Sequence, residues 1–341
     1  MKILITGGCG FIGSNLSIYL KKKNFNVFSL DNLHRKGSEL NQKKLKKNKI
    51  KNFKIDISDK QKINKIPKFD LIIDCCAEPS VSASIKELDR VIDTNLIGTF
   101  NILKKCTLDK AKIIFLSSSR VYSLIGLKKL VPKKILNRPV KIKKKIDMSF
   151  STFGAKSIYG FSKLASEELI REFSYIYGID YLINRFGVIA GPWQFGKVDQ
   201  GFFSLWMWSH LKKKKLNYIG YGGYGNQVRD VLHVDDLCEL IYLQIKNLKS
   251  IKNKSFSVGG GITNAVSLKK LTEICEIITK NKIKIKAVKG TAAYDIPYFV
   301  TSNLFVTKTY NWKPRKSLLN VAKDVYEWQI KNYKSLKSIL N

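Results

Sequence analysis

The sequence predicts an α/β fold: a doubly wound parallel sheet, followed by a smaller, irregular C-terminal part. Three observations predict it. Short apolar runs recur through the first half of the chain and read as buried strands. They are Lys2–Thr6 (KILIT), Asn26–Leu30, Lys51–Ile57, Phe69–Cys76 (FDLIIDCC), Lys112–Ser118 (KIIFLSS) and Asp180–Arg185. Between them lie stretches of helical length, at about Gly10–Lys22, Asp89–Cys106 and Lys156–Tyr177. Beyond Gly187 the rhythm breaks into shorter pieces rich in glycine and aromatic residues.

The strands are continuous apolar runs rather than alternating ones, as a sheet covered on both faces requires. Their alternation with helices implies right-handed βαβ units and parallel pairing. No internal repeat is present, and no linker separates the two parts cleanly. With 341 residues, 44% of them hydrophobic, the chain has ample material for a core.

Composition excludes several function classes. No apolar run is long enough to span a bilayer, and MKILITGGCG lacks the apolar stretch and cleavage site of a signal peptide. Six cysteines (Cys9, Cys75, Cys76, Cys106, Cys238, Cys275) form no CxxC pair and sit largely in apolar segments. Free thiols in a reducing cytoplasm are expected, with no disulfide framework and no metal. His34, His210 and His233 lie at no metal-ligand spacing from one another. Charge is the unusual feature: 62 Lys+Arg against 26 Asp+Glu gives +36. The lysine runs (Lys43–Lys54, Lys128–Lys145, Lys212–Lys215) are scattered and lack the interleaved aromatics of a single-strand platform. They read as a compositional bias on solvated faces, so no nucleic-acid partner is expected. The field still attracts small anions such as nucleotide diphosphates.

Residues 7 to 13 read GGCGFIG, satisfying both G-x-G-x-x-G (Gly8, Gly10, Gly13) and G-x-x-G-x-x-G (Gly7, Gly10, Gly13). With a strand before and a helix after, this is the Rossmann-type dinucleotide turn, where a pyrophosphate sits on a helix N-terminus. Asp31 closes the second strand 18 residues past Gly13, where a carboxylate binds ribose hydroxyls and repels a 2′-phosphate. NAD is therefore favoured over NADP, although His34, Arg35 and Lys36 stand close by. Asp56 and Ile57 end the third strand, placed to cap the adenine amino group.

Tyr159 and Lys163 form a Y-x-x-x-K pair, and four-residue spacing stacks them on one helix face. A lysine cation beside a phenol lowers the tyrosine pKa from about 10 toward the working pH. That makes a general base able to take a hydroxyl proton as hydride leaves the same carbon. Ser118, at the end of the fifth strand, supplies a hydroxyl to hold the reacting oxygen.

At this point the sequence resembles the extended short-chain dehydrogenase/reductases, the NAD-dependent sugar-nucleotide epimerases and dehydratases. The likeness runs through GGCGFIGSNL, DNLHRKG, Asp56-Ile57, CCAEPSV, NLIGTFNIL, FLSSSRVYS, YGFSK, GPWQFGKVDQG, QVRDVLHVDD, FSVGGG and NWKPRKS. Several of these look most like the CDP-paratose 2-epimerase (CDP-tyvelose epimerase) branch, which inverts carbon 2 of a CDP-bound dideoxyhexose. The resemblance implies a catalytic set of Ser118, Tyr159 and Lys163. It implies an NAD site lined by Gly7, Gly10, Phe11, Ile12, Gly13, Asp31, Asn32, Asp56, Ile57, Ala77 and Asn95, together with Tyr159 and Lys163. Arg229 would clamp the substrate diphosphate, with Gln200 and Ser118 beside the substrate; His233 and Asp235 read as structural.

It further implies a Rossmann-type domain at 1–186 plus about 226–250, and a substrate domain at about 187–225 plus 251–341. It implies a homodimer too, with helices at about 89–106 and 156–177 pairing through Val91, Leu96, Ile102, Leu164, Leu169 and Phe173. Three departures stand out. Ser123 replaces the usual glycine after Val121-Tyr122. Ala292 and Ala293 stand where an arginine often helps bind diphosphate. Ser119 and Arg120 occupy the Asp-Glu position of dehydratases, which argues against elimination of water. The expected function is NAD-dependent epimerisation of a nucleotide-activated sugar, most like CDP-paratose at carbon 2. The alternatives are a UDP-hexose 4-epimerase or a non-catalytic NAD-binding protein associated with RNA.

Overall fold

In β1 (Lys2–Thr6), Ile3, Leu4 and Ile5 are wholly buried on both faces, so the strand belongs deep inside a covered sheet. The computed structural model describes residues 1–80, 87–131, 144–198 and 200–340. It forms α1 (Phe11–Lys22), β2 (Asn26–Leu30), α2 (Ser38–Lys47), β3 (Asn52–Phe53), α3 (Lys60–Lys65) and β4 (Leu71–Asp74). There follow α4 (Leu88–Ile92), a π-turn at Asp93–Ile97, α5 (Gly98–Asp109) and β5 (Lys112–Ser118). Next come α6 (Leu124–Lys129), α7 (Ile158–Tyr177), β6 (Tyr181–Phe186) and β7 (Val188–Ala190). The remainder comprises α8 (Phe202–Leu211), β8 (Leu216–Ile219), β9 (Val228–His233), α9 (Val234–Lys246) and β10 (Lys254–Val258). It ends with β11 (Ala265–Ser267), α10 (Leu268–Thr279), β12 (Ile285–Val288), β13 (Tyr298–Phe299), α11 (Leu304–Tyr310), α12 (Leu318–Lys331) and α13 (Tyr333–Leu340).

The large sheet has seven strands in the order β10-β6-β5-β4-β1-β2-β3, and the ladders joining β5, β4, β1, β2 and β3 are parallel. Strand order reverses between β1 and β4, which opens a crevice at their C-terminal ends. The Gly7–Gly13 turn leaves one side of that crevice and residues 75–80 leave the other. The third strand is far shorter than the Lys51–Ile57 expected. Past Phe53 the chain folds on itself, the Ile55 amide donating to the Phe53 carbonyl at 3.0 Å, and the ladder stops.

The chain divides into two compact units. The first holds Met1–Val121, Ser157–Arg185 and Cys238–Phe256; its core joins Leu4, Ile72, Ile113 and Phe115 of the sheet to Ile102, Leu103 and Ile170 of the helices. The second holds Tyr122–Lys156, Phe186–Leu237 and Ser257–Asn341. It has a four-stranded sheet (β11-β9-β13, with β7 on β9), a two-stranded one (β12-β8), and a core of Phe203, Met207, Val231, Leu271 and Val325. It is thus more regular than the sequence pattern conveys. Residues 122–156 cluster with the second unit rather than the first, where Ile146 bridges Thr301 and α6 packs on β13. The returning segment is Cys238–Phe256 rather than about 226–250, because β9 remains paired with β11 and β13. No helix among the described residues is long and apolar enough to cross a membrane.

Candidate active site

Glycine is required at the first turn because backbone passes within contact of backbone. A Cβ on Gly13 would lie 2.2 Å from the Gly7 carbonyl oxygen, and one on Gly7, itself at φ +59°, 2.9 Å from Cys76 Cα. Gly10 differs: its Cβ would meet only the Gly7 oxygen, at 3.0 Å. Gly10 is the N-cap of α1, makes no side-chain cap bond, and precedes a first turn without acidic residues. Beyond the Gly7 oxygen nothing is met by a Cβ at Gly10, so the positive end of the α1 dipole has room beside it of the kind a pyrophosphate needs. Phe11 and Ile12 open α1, and the Phe11 carbonyl accepts from Asn15 Nδ2 at 2.9 Å.

Asp31 is fixed by its neighbours. Its Oδ2 accepts the Cys9 amide at 3.0 Å and its Oδ1 the Leu33 amide at 2.8 Å. Burial raises the carboxyl above its usual value, against the pull of those amides. Asn32 Nδ2 donates to Asp56 Oδ2 at 2.7 Å, linking two of the residues expected at the adenosine end. Burial would raise Asp56, but the Ser58 amide and hydroxyl, Asn32 and His34 outweigh it and hold the carboxyl below its usual range. Ile57 is buried, and its methyl lies where a side chain at Gly98 would go. Sequence reasoning missed Asn41. From α2 its Nδ2 reaches back to the Cys9 and Gly10 carbonyls at 3.0 and 3.3 Å and holds the glycine turn.

The crevice floor is a buried polar network. Asp74 ends β4 and accepts from Thr6 Oγ1 at 2.6 Å and Thr99 Oγ1 at 2.9 Å, and the Cys76 amide donates to Thr6 Oγ1 at 3.2 Å. Ala77 follows, half-buried. Asn95, wholly buried, stands in the π-turn between α4 and α5. Its Oδ1 accepts the Glu78 amide at 2.8 Å; its Nδ2 donates to the Glu78 carbonyl at 3.2 Å and to Ser162 Oγ at 3.0 Å. Both ends of this amide are spent on the loop after β4, so Asn95 shapes the crevice wall through its neighbours. The Asn95 carbonyl takes the Thr99 and Ser166 hydroxyls at 2.8 and 3.0 Å, as a π-turn requires of a displaced acceptor.

Ser157 starts α7 by accepting the Gly160 amide on its Oγ at 3.1 Å. That cap puts Tyr159 in the first turn and Lys163 one turn on. Both are buried, Tyr159 to 8% exposure and Lys163 to 2%. The Tyr159 hydroxyl faces Ser118 at the end of β5, close enough for the serine hydroxyl to favour the phenolate. Ser118 Oγ accepts the Arg120 amide at 3.1 Å, which orients the serine. Burial raises the Tyr159 phenol, while Ser118 and the Arg120 charge pull it back down and Glu78 pushes it up. Burial lowers the Lys163 ammonium, opposed first by Asp74; Lys163 Nζ stands 4.3 Å from the Phe115 ring centroid. Phenol and amine are thus both driven toward neutrality. Glu78 is itself paired to Arg90 at 2.9 Å.

The remaining expected residues lie in the second unit. Arg229 Nη2 reaches Asp295 Oδ1 at 3.3 Å and the Ile296 carbonyl at 2.7 Å, and Nη1 the Val228 carbonyl at 2.8 Å. Gln200 Oε1 is buried with no hydrogen-bond partner among the described residues. His233 is buried, and its Nδ1 accepts the Asp235 amide at 3.0 Å, closing the start of α9. Its Nε2 lies 3.4 Å from Asp324. Val81 of the CCAEPSV stretch, Asp199 before Gln200, and residues 132–143 of the lysine-rich segment lie outside the described residues. Among the described residues no group of three or more His, Cys, Asp or Glu is placed to hold a metal ion, and the six cysteines are unbridged.

The CDP-paratose 2-epimerase of Salmonella typhi is 28% identical over 96% of this chain and 99% of its own length. A putative UDP-glucose 4-epimerase of Methanocaldococcus jannaschii is 30% identical over 97% of this chain and 99% of its own. Among solved structures, Pal from Bacillus thuringiensis matches with a TM-score of 0.83 at 27% identity, covering 98% of this chain and 100% of that one. Residues 3–259, most of the chain, match the NAD dependent epimerase/dehydratase family. The protein is a member of that family, an enzyme whose cofactor is NAD.

Proposed function

We propose that this enzyme inverts one ring carbinol of a nucleotide-activated sugar by oxidising it transiently to a ketone and reducing it again on the opposite face. The observation that carries this reading is the meeting of Ser118, at the end of β5, with the buried Tyr159 of α7, Lys163 lying one helical turn on. NAD, when bound, would supply hydride-accepting and hydride-returning chemistry, so the cycle would need no net oxidant. The glycine turn around Gly10, with Asp31 and the Asn32–Asp56 pair, would hold it.

Tyr159 Oη takes the proton of the reacting hydroxyl and later returns it; Ser118 Oγ holds that oxygen in line. Arg120 supplies the positive charge that favours the phenolate, and Lys163, buried one turn along, belongs to the same proposed set. Arg229 suits the diphosphate because a guanidinium binds such oxygens in pairs, and the orphaned Gln200 Oε1 suits a donor group of the substrate. Dehydration would need an acid/base pair beside the serine, and Ser119 and Arg120 stand there instead.

For the substrate, CDP-paratose inverted at carbon 2 (giving CDP-tyvelose) is the reading we favour, supported by the nearly full-length similarity to a CDP-paratose 2-epimerase. A UDP-hexose 4-epimerase is the second reading, supported by the relative named a putative UDP-glucose 4-epimerase. Homodimerisation through α4–α5 and α7 belongs to the same proposal. Of the residues expected on that face, Val91 and Ile102 are wholly buried within the chain. Leu169 and Phe173 also pack against the core of the first unit, while Leu88, Ile97, Leu108 and Phe161 are among the large apolar side chains of these helices exposed by 40% or more.

Proton NMR with CDP-paratose and then UDP-glucose, in D₂O and without added NAD, tests the reaction. Epimerisation with no deuterium at the inverted carbon supports internal hydride return. Deuterium uptake there would mean that the carbon is inverted by deprotonation, and the roles given to Tyr159 and NAD would fall. Turnover of UDP-glucose alone would keep the mechanism and replace the substrate. Tyr159→Phe is expected to keep its NAD and its fold while losing most turnover.

A further inference from the structure

Two departures from the family pattern meet at one place in the second unit. Ser123, where a glycine is usual, caps a short helix: its Oγ accepts the Gly126 amide at 3.3 Å and so starts α6. The Ser123 amide is tied to the Ser151 carbonyl at 2.9 Å, and that of Leu124 to the Ala155 carbonyl at 2.9 Å, which fixes where the helix begins. α6 packs on β13, whose Phe299 is in register with Arg229 of β9. At the far end of α6, Lys128 Nζ donates to the carbonyl of Ala293. Ala292 and Ala293 are the residues that stand where an arginine is usual.

Arg229 and Lys128 therefore grip the same loop from separate elements. Arg229 holds its Asp295–Ile296 end by Asp295 Oδ1 at 3.3 Å and the Ile296 carbonyl at 2.7 Å. Lys128 holds the Ala293 carbonyl, three residues earlier in the chain. The loop is further pinned by the Tyr221 hydroxyl on the Asp295 carbonyl at 2.8 Å and the Tyr221 amide on Thr291 Oγ1 at 2.8 Å. Asp295 is the loop's own anion, and it already faces Arg229. Among the described residues Lys128 makes no ion pair, and the bond to a neutral carbonyl leaves its charge uncompensated. A carbonyl contact orients an ammonium without neutralising it, and three rotatable N–H groups let the lysine keep that bond while taking another acceptor.

We propose that Lys128 is a second cation for the substrate diphosphate, carried in on α6 to serve where the loop has only Ala292 and Ala293. This rests on the sugar-nucleotide reading of the site and names a residue for it. In this role Lys128 binds ground state and transition state alike, so its loss raises KM with little change in kcat. Losing one charge-assisted hydrogen bond to phosphate weakens binding about tenfold or more.

The test is calorimetric titration of the NAD-loaded, full-length enzyme with CDP and UDP, each set against its nucleoside. Lys128→Met is expected to bind the preferred diphosphate about tenfold more weakly. Its nucleoside affinity and melting temperature should match the unsubstituted protein, and Lys128→Arg should restore the diphosphate affinity. Equal diphosphate affinity in Lys128→Met and the unsubstituted protein would overturn the assignment and leave Arg229 as the cation proposed there. Parallel loss of diphosphate and nucleoside affinity, without rescue by arginine, would show Lys128 to be a loop support and also overturn it. Failure of the unsubstituted protein to bind either diphosphate would instead remove the sugar-nucleotide reading, a separate result.

Discussion

Replacing Gly10 and Gly13 by alanine separates two jobs that one motif combines. At Gly13 the new methyl would sit 2.2 Å from the Gly7 oxygen, 2.7 Å from Gly8 Cα and 2.8 Å from the Gly7 carbonyl carbon. All three are backbone atoms of the turn, and none can rotate aside. Relief needs the Gly7–Gly8 segment to move by about 1 Å, but Asn41 holds the next residues and a Gly8 Cβ position already lies 2.1 Å from Ser29 Oγ. Overpacking of this kind costs about 1–3 kcal/mol, or roughly 2–4 °C of melting temperature per kcal/mol in a unit of this size. At Gly10 the nearest atom is 3.0 Å away and φ is −74°, so alanine fits after a shift of a few tenths of an ångström. Its cost to the fold is a few tenths of a kcal/mol, up to about 1 kcal/mol, since alanine is a poorer N-cap. The methyl would, however, occupy the side from which the proposed pyrophosphate approaches. Gly10→Ala is therefore expected to melt near the unsubstituted protein yet purify with little NAD, whereas Gly13→Ala loses both stability and cofactor. Differential scanning fluorimetry alongside NAD extraction reads both. Full NAD content in Gly10→Ala, or an unchanged melting point in Gly13→Ala, would refute the reasoning.

Three further outcomes follow from named contacts. The Arg120 charge lowers the Tyr159 phenol, so Arg120→Gln lets that pKa rise and moves the acidic limb of the activity profile to higher pH; a profile that stays in place removes Arg120 from the electrostatics of the base. Glu167 is fully buried against Arg185, with Oε2–Nη2 at 2.7 Å and Oε1–Nε at 3.0 Å, and also takes Ser117 Oγ at 2.6 Å. Glu167→Gln leaves the guanidinium buried without its anion, a loss of about 3–5 kcal/mol that urea unfolding would register as a lower midpoint. Light scattering should give twice the chain mass, and Phe161→Glu should halve it; a monomeric unsubstituted protein ends the dimer proposal.

The residues proposed to carry the chemistry stand out in the sequence because their signals are local. Gly7, Gly10 and Gly13 fall within one turn, Tyr159 and Lys163 within one helical turn, and Ser118 at the end of an unbroken apolar run. What positions them is mostly non-local, so no window of sequence carries it. Asn41 sits 31 residues from the Gly10 carbonyl it binds, and nothing in SELNQKKLKK marks it off from its solvated neighbours. The π-turn at Asp93–Ile97 is hidden inside a stretch that reads as one helix from Asp89 to Cys106. Its cause is a set of partners, Glu78, Ser162 and Ser166, from two other elements.

The second unit was the least legible for a related reason. β13 has two residues and β11 three, too few to show a period of two, and each is held by pairing to β9. The departures from the family pattern behave differently again. Read singly, Ser123 in place of glycine and alanines in place of arginine look like two losses at the substrate end. In three dimensions the first starts the helix whose lysine reaches the second. A substitution that weakens a motif in one line of sequence is thus answered by another 169 residues away, and only the fold shows that the two belong together.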